Sequence, residues 1–245
     1  AQNTSVNIQK NVKNIQDDSS KINSNIKLGQ KGSQPLNGNG NIVTDKRDVA
    51  PCHSISVNGA FELALLPADS AKTEITISAD ANLLDNIKTV VENDLLRIYA
   101  EKSFSSANRI ALSVKMPQLR GIYSEGASNI KAQNIRADIL TLQISGAATV
   151  SLEGQALLLR VEMEGAGELN AVKLNTEKVD LHLSDAAKAR VWVMDRLTVN
   201  ASGASEVFYL GRPAKINRNL SGAAEIKELS AEDKTPPARP LSRRR

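Results

Sequence analysis

Four side chains in the second half of the chain are of types that acid–base chemistry uses. They are Glu162, Glu164, His182 and Asp185. Carboxylates held close together can exchange protons with a substrate or bind a cation, whereas a solvated polar surface carries the same residue types with no such role. Which interpretation applies depends on the elements that position them, because Glu162 and His182 are 20 residues apart.

A three-residue motif that recurs six times supplies that positioning. Its centre is glycine in five copies and aspartate in one, and alanine always follows. The six pairs are Gly126-Ala127, Gly146-Ala147, Gly165-Ala166, Asp185-Ala186, Gly203-Ala204 and Gly222-Ala223. Successive centres are 18 to 20 residues apart. Self-similarity at this period is typical of stacked equivalent coils, none of which can bury its apolar face alone.

Residues on either side of each centre alternate between apolar and polar. The positions two and four before it are nearly all aliphatic, and the position between them holds Tyr123, Gln143, Glu162, His182, Asn200 or Asn219. A period of two predicts β-strands with one buried face. We therefore predict an all-β fold, a parallel β-helix or solenoid of about six coils, each a strand, a Gly-Ala corner and a second strand. The register then stacks Glu162 on His182, with Glu164 and Asp185 close by.

The corners and the terminal coils carry further predictions. Glycine suits a corner because it tolerates positive φ, which aspartate also visits, and we expect the following alanine to point inward. Arg120 and Arg218 fall at inward positions of the first and last coils. Because an unpaired buried charge is costly, we expect these coils to be distorted so that both guanidinium groups reach water; an acidic partner is the alternative.

The section before the repeats is predicted to be rich in hairpins. Its predicted strands cover residues 53–57, 61–66, 73–78, 87–91, 95–99 and 110–114. Asn58-Gly59 between the first two is a strong hairpin signal, and Glu92-Asn93-Asp94 joins the fourth to the fifth. A helix over residues 82–91 is the alternative, which the β-branched run Thr89-Val90-Val91 disfavours.

Several segments together resemble the head GIN domain. These are Ile55-Ser56-Val57-Asn58-Gly59, Glu74-Ile75-Thr76-Ile77, Asn82-Leu83-Leu84, Asp94-Leu95-Leu96-Arg97-Ile98, Met116-Pro117-Gln118-Leu119 and the serial Ser-Gly-Ala corners. The resemblance covers about residues 48–229. This bacterial family is also described as an auto-transporter adhesin domain of unknown function. It implies a right-handed β-helix-like fold, an exported location and no established catalytic residues to transfer.

Both ends of the chain differ from the repeats. We predict an extension over residues 1–47, a β section over 48–118, repeats over 119–229 and a disordered basic tail over 230–245. In the extension, Ile8, Val12, Ile15, Ile22 and Ile26 are spaced to form one seam of a helix. The extension is either a partner-binding segment, which could also cover the open solenoid end, or a disordered leader, and residues 29–41 are predicted to be a flexible linker.

The charge distribution excludes some classes of partner. Residues 1–47 contain seven basic and three acidic side chains and residues 230–245 five and two, so the body carries −3 of the net +4. Nucleic-acid binding is disfavoured, since it needs a basic, aromatic-lined folded surface. Arg243, Arg244 and Arg245 could weakly contact anionic lipid, although a solvated tail is the plainer interpretation.

Cysteine content and hydropathy add little about chemistry or location. Cys52 is the only cysteine, so the chain forms no internal disulfide, and Cys52-His53 has too few accompanying ligands for a metal. We expect Cys52 to be a small semi-buried residue or to pair with another chain. No cofactor is predicted. No segment is apolar enough to cross a bilayer as a helix, and the start at Ala1-Gln2 fits a chain after signal cleavage and equally an artificially shortened one.

Three functions remain open. The leading hypothesis is a non-catalytic scaffold or protein-interaction module of the bacterial periplasm or cell surface, with protein partners or self-association at the uncovered solenoid end. A surface adhesin or glycan-binding protein is the alternative. A polysaccharide-active β-helix enzyme is weaker, because the sequence shows no second acidic pair, no clear basic partner and no aromatic platform for a sugar ring.

Overall fold

The computed structural model describes residues 35–68 and 70–229, with 3% of residues helical and 69% in strands. The strands are β1 (Leu36–Asn37), β2 (Ile42–Val49), β3 (Ser54–Gly59), β4 (Glu62–Pro67), β5 (Thr73–Asp80), β6 (Ile87–Glu92), β7 (Leu95–Ala100), β8 (Phe104–Ser105), β9 (Ala111–Met116), β10 (Gly121–Gly126), β11 (Asn129–Gly146), β12 (Thr149–Gly165), β13 (Glu168–Leu183), β14 (Lys188–Trp192), β15 (Arg196–Ala201), β16 (Glu206–Leu210), β17 (Lys215–Leu220) and β18 (Glu225–Glu228). A 3-10 helix covers Ala81–Asn86. No helix in these two ranges is long and apolar enough to cross a membrane.

The strands wind into a β-solenoid of about five turns, so the predicted fold class is confirmed with a slightly smaller turn count. Two stacks of strands build its sides. Face A contains, in order, β6, β7, β3, β10, β11, β12, β13, β15 and β17. Face B contains β2, β5, β9, β4, β11, β12, β13, β14, β16 and β18. The long strands β11, β12 and β13 contribute to both faces because each continues from a face B segment into a face A segment.

The corners between face A and face B stack directly on one another. Gly126 pairs with Gly146, and Gly146 pairs with Gly165. All three have φ between 99° and 108°, and Asp185 at the equivalent place has φ 60°. A Cβ on Gly146 would lie 2.6 Å from the carbonyl oxygen of Gly126. Glycine is therefore required there both for its backbone conformation and for the close approach of successive coils.

The alanines that follow the corner centres do not point inward, so that prediction is wrong. All six are exposed, and the interior position falls one residue later, at Ser128, Ala148, Gly167, Ala187 and Ser205. The stacking contact is made by the alanine peptide instead of its methyl group, since Ala147 N donates to the Gly126 carbonyl at 2.9 Å. The corner thus places two successive residues outside, which interrupts the period-two alternation.

The interior is filled by columns of aliphatic side chains that continue from coil to coil. One column of face A follows the strand register through Ile55, Ile122, Leu142, Val161, Leu181 and Val199, and none of these is more than 1% exposed. Stacked equivalent positions keep the same side chains in contact along the whole solenoid. Such columns make face A a rigid platform for the side chains on its outer surface.

The first predicted hairpin is absent and the second is present. Strands β3 and β4 pair with other strands in parallel, and Gly59 pairs with Gly126, so Asn58-Gly59 is a further corner. A hairpin turn and a solenoid corner both need a glycine with positive φ, here 135°, so the local signal does not distinguish them. In contrast, β6 and β7 form an antiparallel hairpin. The alternative helix is limited to Ala81–Asn86.

The start of the folded region lies earlier than the sequence indicated. Strand β2 pairs antiparallel with β5, and β1 pairs with β8. The boundary placed after residue 47 therefore falls inside β2, and the predicted linker over residues 29–41 includes β1. Two-residue β1 has too little apolar pattern to be recognised, and the polar residues of β2 conceal a strand whose side chains are all at least partly exposed.

The two arginines predicted at inward positions are both exposed, as expected, but the predicted distortion is not the reason in the last coil. Arg120 lies just before β10 and is exposed, and its Nε and Nη2 donate to Gln118 Oε1 at 3.2 and 3.0 Å. Arg218 pairs in regular register with Val199, so the expected distortion of the last coil is wrong. Arg218 is exposed because its strand is the last of face A among the described residues.

Candidate binding groove

A groove of about 720 Å³ runs along the outer surface of face A. Its lining consists largely of the residues that alternate with the buried aliphatic columns and therefore face outward. Two outward rows line it. The first row is Ser56, Tyr123, Gln143, Glu162, His182, Asn200 and Asn219, and the second is Asn58, Glu125, Ser145, Glu164, Ser184, Ser202 and Ser221. Arg97 and Tyr99 of β7 extend the rows at the N-terminal end, paired with Ser56 and Asn58.

The environment along the groove changes from one end to the other. Arg97, Tyr99 and Tyr123 at the N-terminal end are half-buried, whereas Glu162 and His182 near the middle are exposed. Large side chains therefore border the N-terminal part, and the remainder is lined mostly by smaller polar side chains, some exposed and some half-buried. A ligand would be most enclosed beside the two tyrosines.

Tyr123 is fixed in place by a glycine beneath its ring. A Cβ on Gly121 would lie 3.0 Å from Cε2 of Tyr123 and 3.2 Å from its hydroxyl oxygen. The ring therefore occupies the space that a side chain at residue 121 would need. Burial, and secondarily the negative charge of Glu162, raise the pKa of the Tyr123 hydroxyl. The phenol thus remains protonated and able to donate a hydrogen bond at neutral pH.

Arg97 places a positive charge at the same end of the groove. It lies one strand from Ser56 in register, and Tyr123 is on the next strand. Its Nε is buried and has no hydrogen-bond partner among the described residues. Arg97 also forms no salt bridge with any of those residues. Arg97 therefore contributes a positive charge to the N-terminal end of the groove without forming a salt bridge there.

Amide and carboxylate side chains bridge neighbouring strands within the groove. Asn58 Nδ2 donates to Glu125 Oε2 at 2.8 Å, and Gln143 Nε2 donates to Glu162 Oε2 at 2.9 Å. Each bond orients two outward side chains before any ligand is present. A groove with several preoriented donors and acceptors loses less side-chain entropy when it binds a polar molecule.

A family model described as "Putative auto-transporter adhesin, head GIN domain" matches residues 52–213. The chain belongs to this family. The match covers five of the six corners, most of both faces and all of the groove except Asn219 and Ser221, and it confirms the resemblance found in the sequence. The description of the head GIN domain indicates a surface or envelope protein. No protein with a curated functional description matches the chain.

Solved structures with this fold support the architecture. A putative adhesin from Bacteroides fragilis superimposes with a TM-score of 0.63 at 19% identity, covering 79% of this chain and 100% of that chain. A structure described as a putative lipid binding protein, from Parabacteroides distasonis, gives a TM-score of 0.54 at 18% identity, covering 80% of this chain and 100% of that chain. At such identities the likeness concerns the fold alone.

In the head GIN domain of this chain, the predicted polar cluster is only partly assembled. Glu162 pairs in register with His182, and Glu164 lies in the adjacent outward row. Asp185 instead belongs to the corner, where its Oδ2 accepts a hydrogen bond from Gly165 N at 3.1 Å. Glu162, Glu164 and His182 are exposed. Their environment is that of a solvated surface and not that of an enclosed acid–base site.

The Cys52-His53 pair is divided between two environments. Cys52 is fully buried against Thr73, with 3.6 Å between Sγ and Oγ1, so the predicted semi-buried position is wrong and the thiol is inaccessible to another chain. His53 Nδ1 lies 2.6 Å from Asp94 Oδ1. In the part of the chain that the structure describes, no group of three or more potential ligands could hold a metal ion.

Two predicted contact regions lie outside the described residues. They are the seam of Ile8, Val12, Ile15, Ile22 and Ile26, and the terminal cluster of Arg243, Arg244 and Arg245. Both remain predictions of this sequence.

The sequence interpretation missed the aromatic and basic end of the groove. Arg97 and Tyr99 reach face A only through the pairing of β7 with β3, and the supposed hairpin at Asn58-Gly59 would have placed those strands differently. The recognisable clue was that Asn58-Gly59-Ala60 repeats the corner motif. Aligning on it would have placed Ser56 and Asn58 in the two outward rows.

Proposed function

We propose that this chain is a non-catalytic binding module of the bacterial cell envelope, and that the groove on face A is its recognition surface. Surface display, as in an adhesin, accords with the family description. The observation that supports a binding role most directly is the continuous groove across eight strands, from β7 to β17. Its preoriented polar side chains lie on a rigid stack, as a recognition surface requires.

Binding is favoured over catalysis by the distribution of groups along the groove. The side chains there are mostly neutral hydroxyls and amides, repeated from coil to coil. A catalytic site concentrates its reactive groups at one enclosed point, where burial and neighbouring charges shift their pKa values. In this groove the exposed carboxylates lie at the open middle, away from the enclosed end.

Site-specific photo-crosslinking in intact cells tests this proposal. A photoreactive amino acid at Ser145, in the groove, is compared with the same amino acid at Ser151, which faces outward on face B. We expect a discrete adduct from position 145 and none from position 151. Equal adduct patterns from the two positions, or none from either, would contradict the assignment of the groove. Protease treatment of the same cells separates a surface location from a periplasmic one.

A scaffold role through the last coil is a second candidate, favoured by a different observation. Ile216 of β17 is 40% exposed and Leu220 is half-buried, although strands at equivalent places in earlier coils bury such residues.

The predicted partner-binding extension can be tested by deleting residues 1–34, which leaves β1 and β2 intact. We expect the solenoid to fold and a specific crosslinked assembly to disappear. Identical assemblies with and without residues 1–34 would refute a role for the extension.

A further inference from the structure

We infer that the groove binds a neutral, extended polysaccharide lying along the solenoid axis, with one sugar ring stacked on Tyr123. This inference rests on the proposed function and names its ligand class. Three independent properties support it: the length and repetition of the groove, the chemistry of its side chains, and its charge.

The groove is long and repeats with the coils. It crosses eight strands spaced about 4.8 Å apart, which gives a length of about 34 Å. Every face A strand from β10 onward supplies one side chain to each outward row, from the strand itself or from the residue just after it. A compact ligand would use only a small part of this surface. A linear polymer with a short repeating unit would meet similar partners on successive coils.

The side chains of the groove match a polymer rich in hydroxyl groups. Asn58, Gln143 and Asn200 each offer both amide donors and a carbonyl acceptor, and the serine hydroxyls can act in either sense. Sugar hydroxyls are likewise both donors and acceptors. Tyr99 and Tyr123 supply flat apolar faces with polar tips at the enclosed end, which suits a ring with one apolar face and a polar rim.

The charge of the groove selects against acidic polymers. Glu125, Glu162 and Glu164 outnumber Arg97, so a polyanion would meet net repulsion. Two of these glutamates accept hydrogen bonds from Asn58 and Gln143, which fixes the orientation of their carboxylates. On charge alone, a basic peptide is the principal alternative ligand to a neutral polysaccharide.

Direct binding of the full chain to immobilised glycans tests the inference. The probes are disaccharides and hexasaccharides of neutral glucans, mannans, galactans and xylans, with polygalacturonate and a lysine-rich peptide as charged comparisons, all at physiological salt to screen the basic termini. We expect binding to at least one neutral series, tighter for the hexasaccharide than for the disaccharide. Tyr123→Ala should weaken it about tenfold by removing the stacking surface. Phe208→Ala, on the outer surface of face B beside Arg190, should leave it unchanged within about twofold.

A second variant keeps the test valid if Tyr123→Ala does not fold, which circular dichroism will show. Asn200 lies three strands beyond Gln143 along face A. Asn200→Ala should therefore weaken hexasaccharide binding severalfold while leaving disaccharide binding unchanged. The inference is overturned if no neutral series binds, if binding is insensitive to both Tyr123 and Asn200, or if only polygalacturonate or the peptide binds. Groove-specific photo-adducts together with no glycan binding would reject the polysaccharide while leaving the proposed function intact.

Discussion

The aliphatic column of face A ends differently at the two ends of the solenoid. The aliphatic column of face A that runs from Ile55 to Val199 is continued toward the N-terminal end by Leu96, which is fully buried, and then by Val91 of β6. Toward the C-terminal end the next residue in the same register is Arg218, which is exposed. One end is closed by further apolar packing, and the other ends in a charge.

The N-terminal end is completed by strands that reverse the chain direction. Strand β6 is antiparallel to β7, and Arg47 of β2 reaches its start. Arg47 Nη1 donates to the Ile87 carbonyl at 2.7 Å and Nη2 to the Leu84 carbonyl at 3.1 Å, while Nε pairs with Asp45 at 2.7 Å. Backbone acceptors near the terminal strand are thereby satisfied, which a parallel coil could not achieve by itself.

The C-terminal end is protected by charge instead. An edge strand with unpaired backbone groups can pair with another chain, and a charged residue at an inward position opposes that. Arg218 occupies such a position, with Lys215 on the same strand. The same column position is therefore aliphatic wherever another coil follows and cationic where the described stack stops.

The largest difference between the interior and the last coil should appear on truncating leucines of one column. Leu183 is 3% exposed, and Leu220 lies two strands further in the same register. Leu183→Ala should lower the free energy of unfolding by about 2–5 kcal/mol because it leaves a cavity. Leu220→Ala should cost less than half as much, because the end can relax. Urea denaturation measures both, and equal losses would show that the last coil is packed like the interior.

A smaller effect should distinguish the arginines at the two ends. Arg47→Ala removes hydrogen bonds from a charged donor to two backbone carbonyls and should cost about 1–3 kcal/mol. Arg218→Ala should be nearly neutral in the monomer, since its side chain is exposed. Hydrogen exchange should report faster opening of residues 87–92 in Arg47→Ala only. Unchanged exchange there would mean that Arg47 does not secure the N-terminal end.

Removing the charge from the open end should create an association. Arg218→Leu extends the aliphatic column to the exposed strand, so two copies should pair through β17 and give a concentration-dependent dimer in sedimentation velocity. Arg212→Leu is the matched control, because it is an exposed arginine near the same end but outside any strand. If both variants remain monomeric at high concentration, the inward charge is not what blocks self-association.

The sequence predicted the repeating part of the fold well because each coil repeats the same alternation of apolar and polar residues around its corner. The column through Val161 and Leu181, the corner glycines and the pairing of Glu162 with His182 all follow from one alignment. The N-terminal end could not be predicted in this way, because β2, β5 and β6 occur once and pair antiparallel. Local turn residues such as Asn58-Gly59 suit either topology, and only the long-range pairing decides between them.

The binding site was predictable only where it belongs to the repeats. The outward rows from Tyr123 onward follow from periodicity, whereas Arg97 and Tyr99 depend on which strand lies beside β3. Arg218 shows the converse case: its inward position was correctly assigned, but its exposure depends on the absence of a following coil from the described stack. A single-coil pattern does not contain that information.

The smallest effect concerns the thiol enclosed at the N-terminal end. Burial, assisted by the nearby charge of Asp94 and opposed by the hydrogen bond with Thr73, raises the pKa of Cys52 above its ordinary value of 9.0. The folded chain therefore disfavours the thiolate more than the unfolded chain does. The associated stability is fully present below the ordinary thiol pKa and is lost as pH rises through the higher pKa of the folded state.

Urea denaturation across this alkaline window should show a steeper loss of stability for the natural chain than for Cys52→Ala, while the two pH profiles run parallel at neutral pH. Alkylation of Cys52 at neutral pH should also be slow and should accelerate in parallel with unfolding, because the thiol is fully buried. Rapid alkylation of the folded chain would show that the N-terminal end opens readily, and the contrast between a closed end and an open end would then fail.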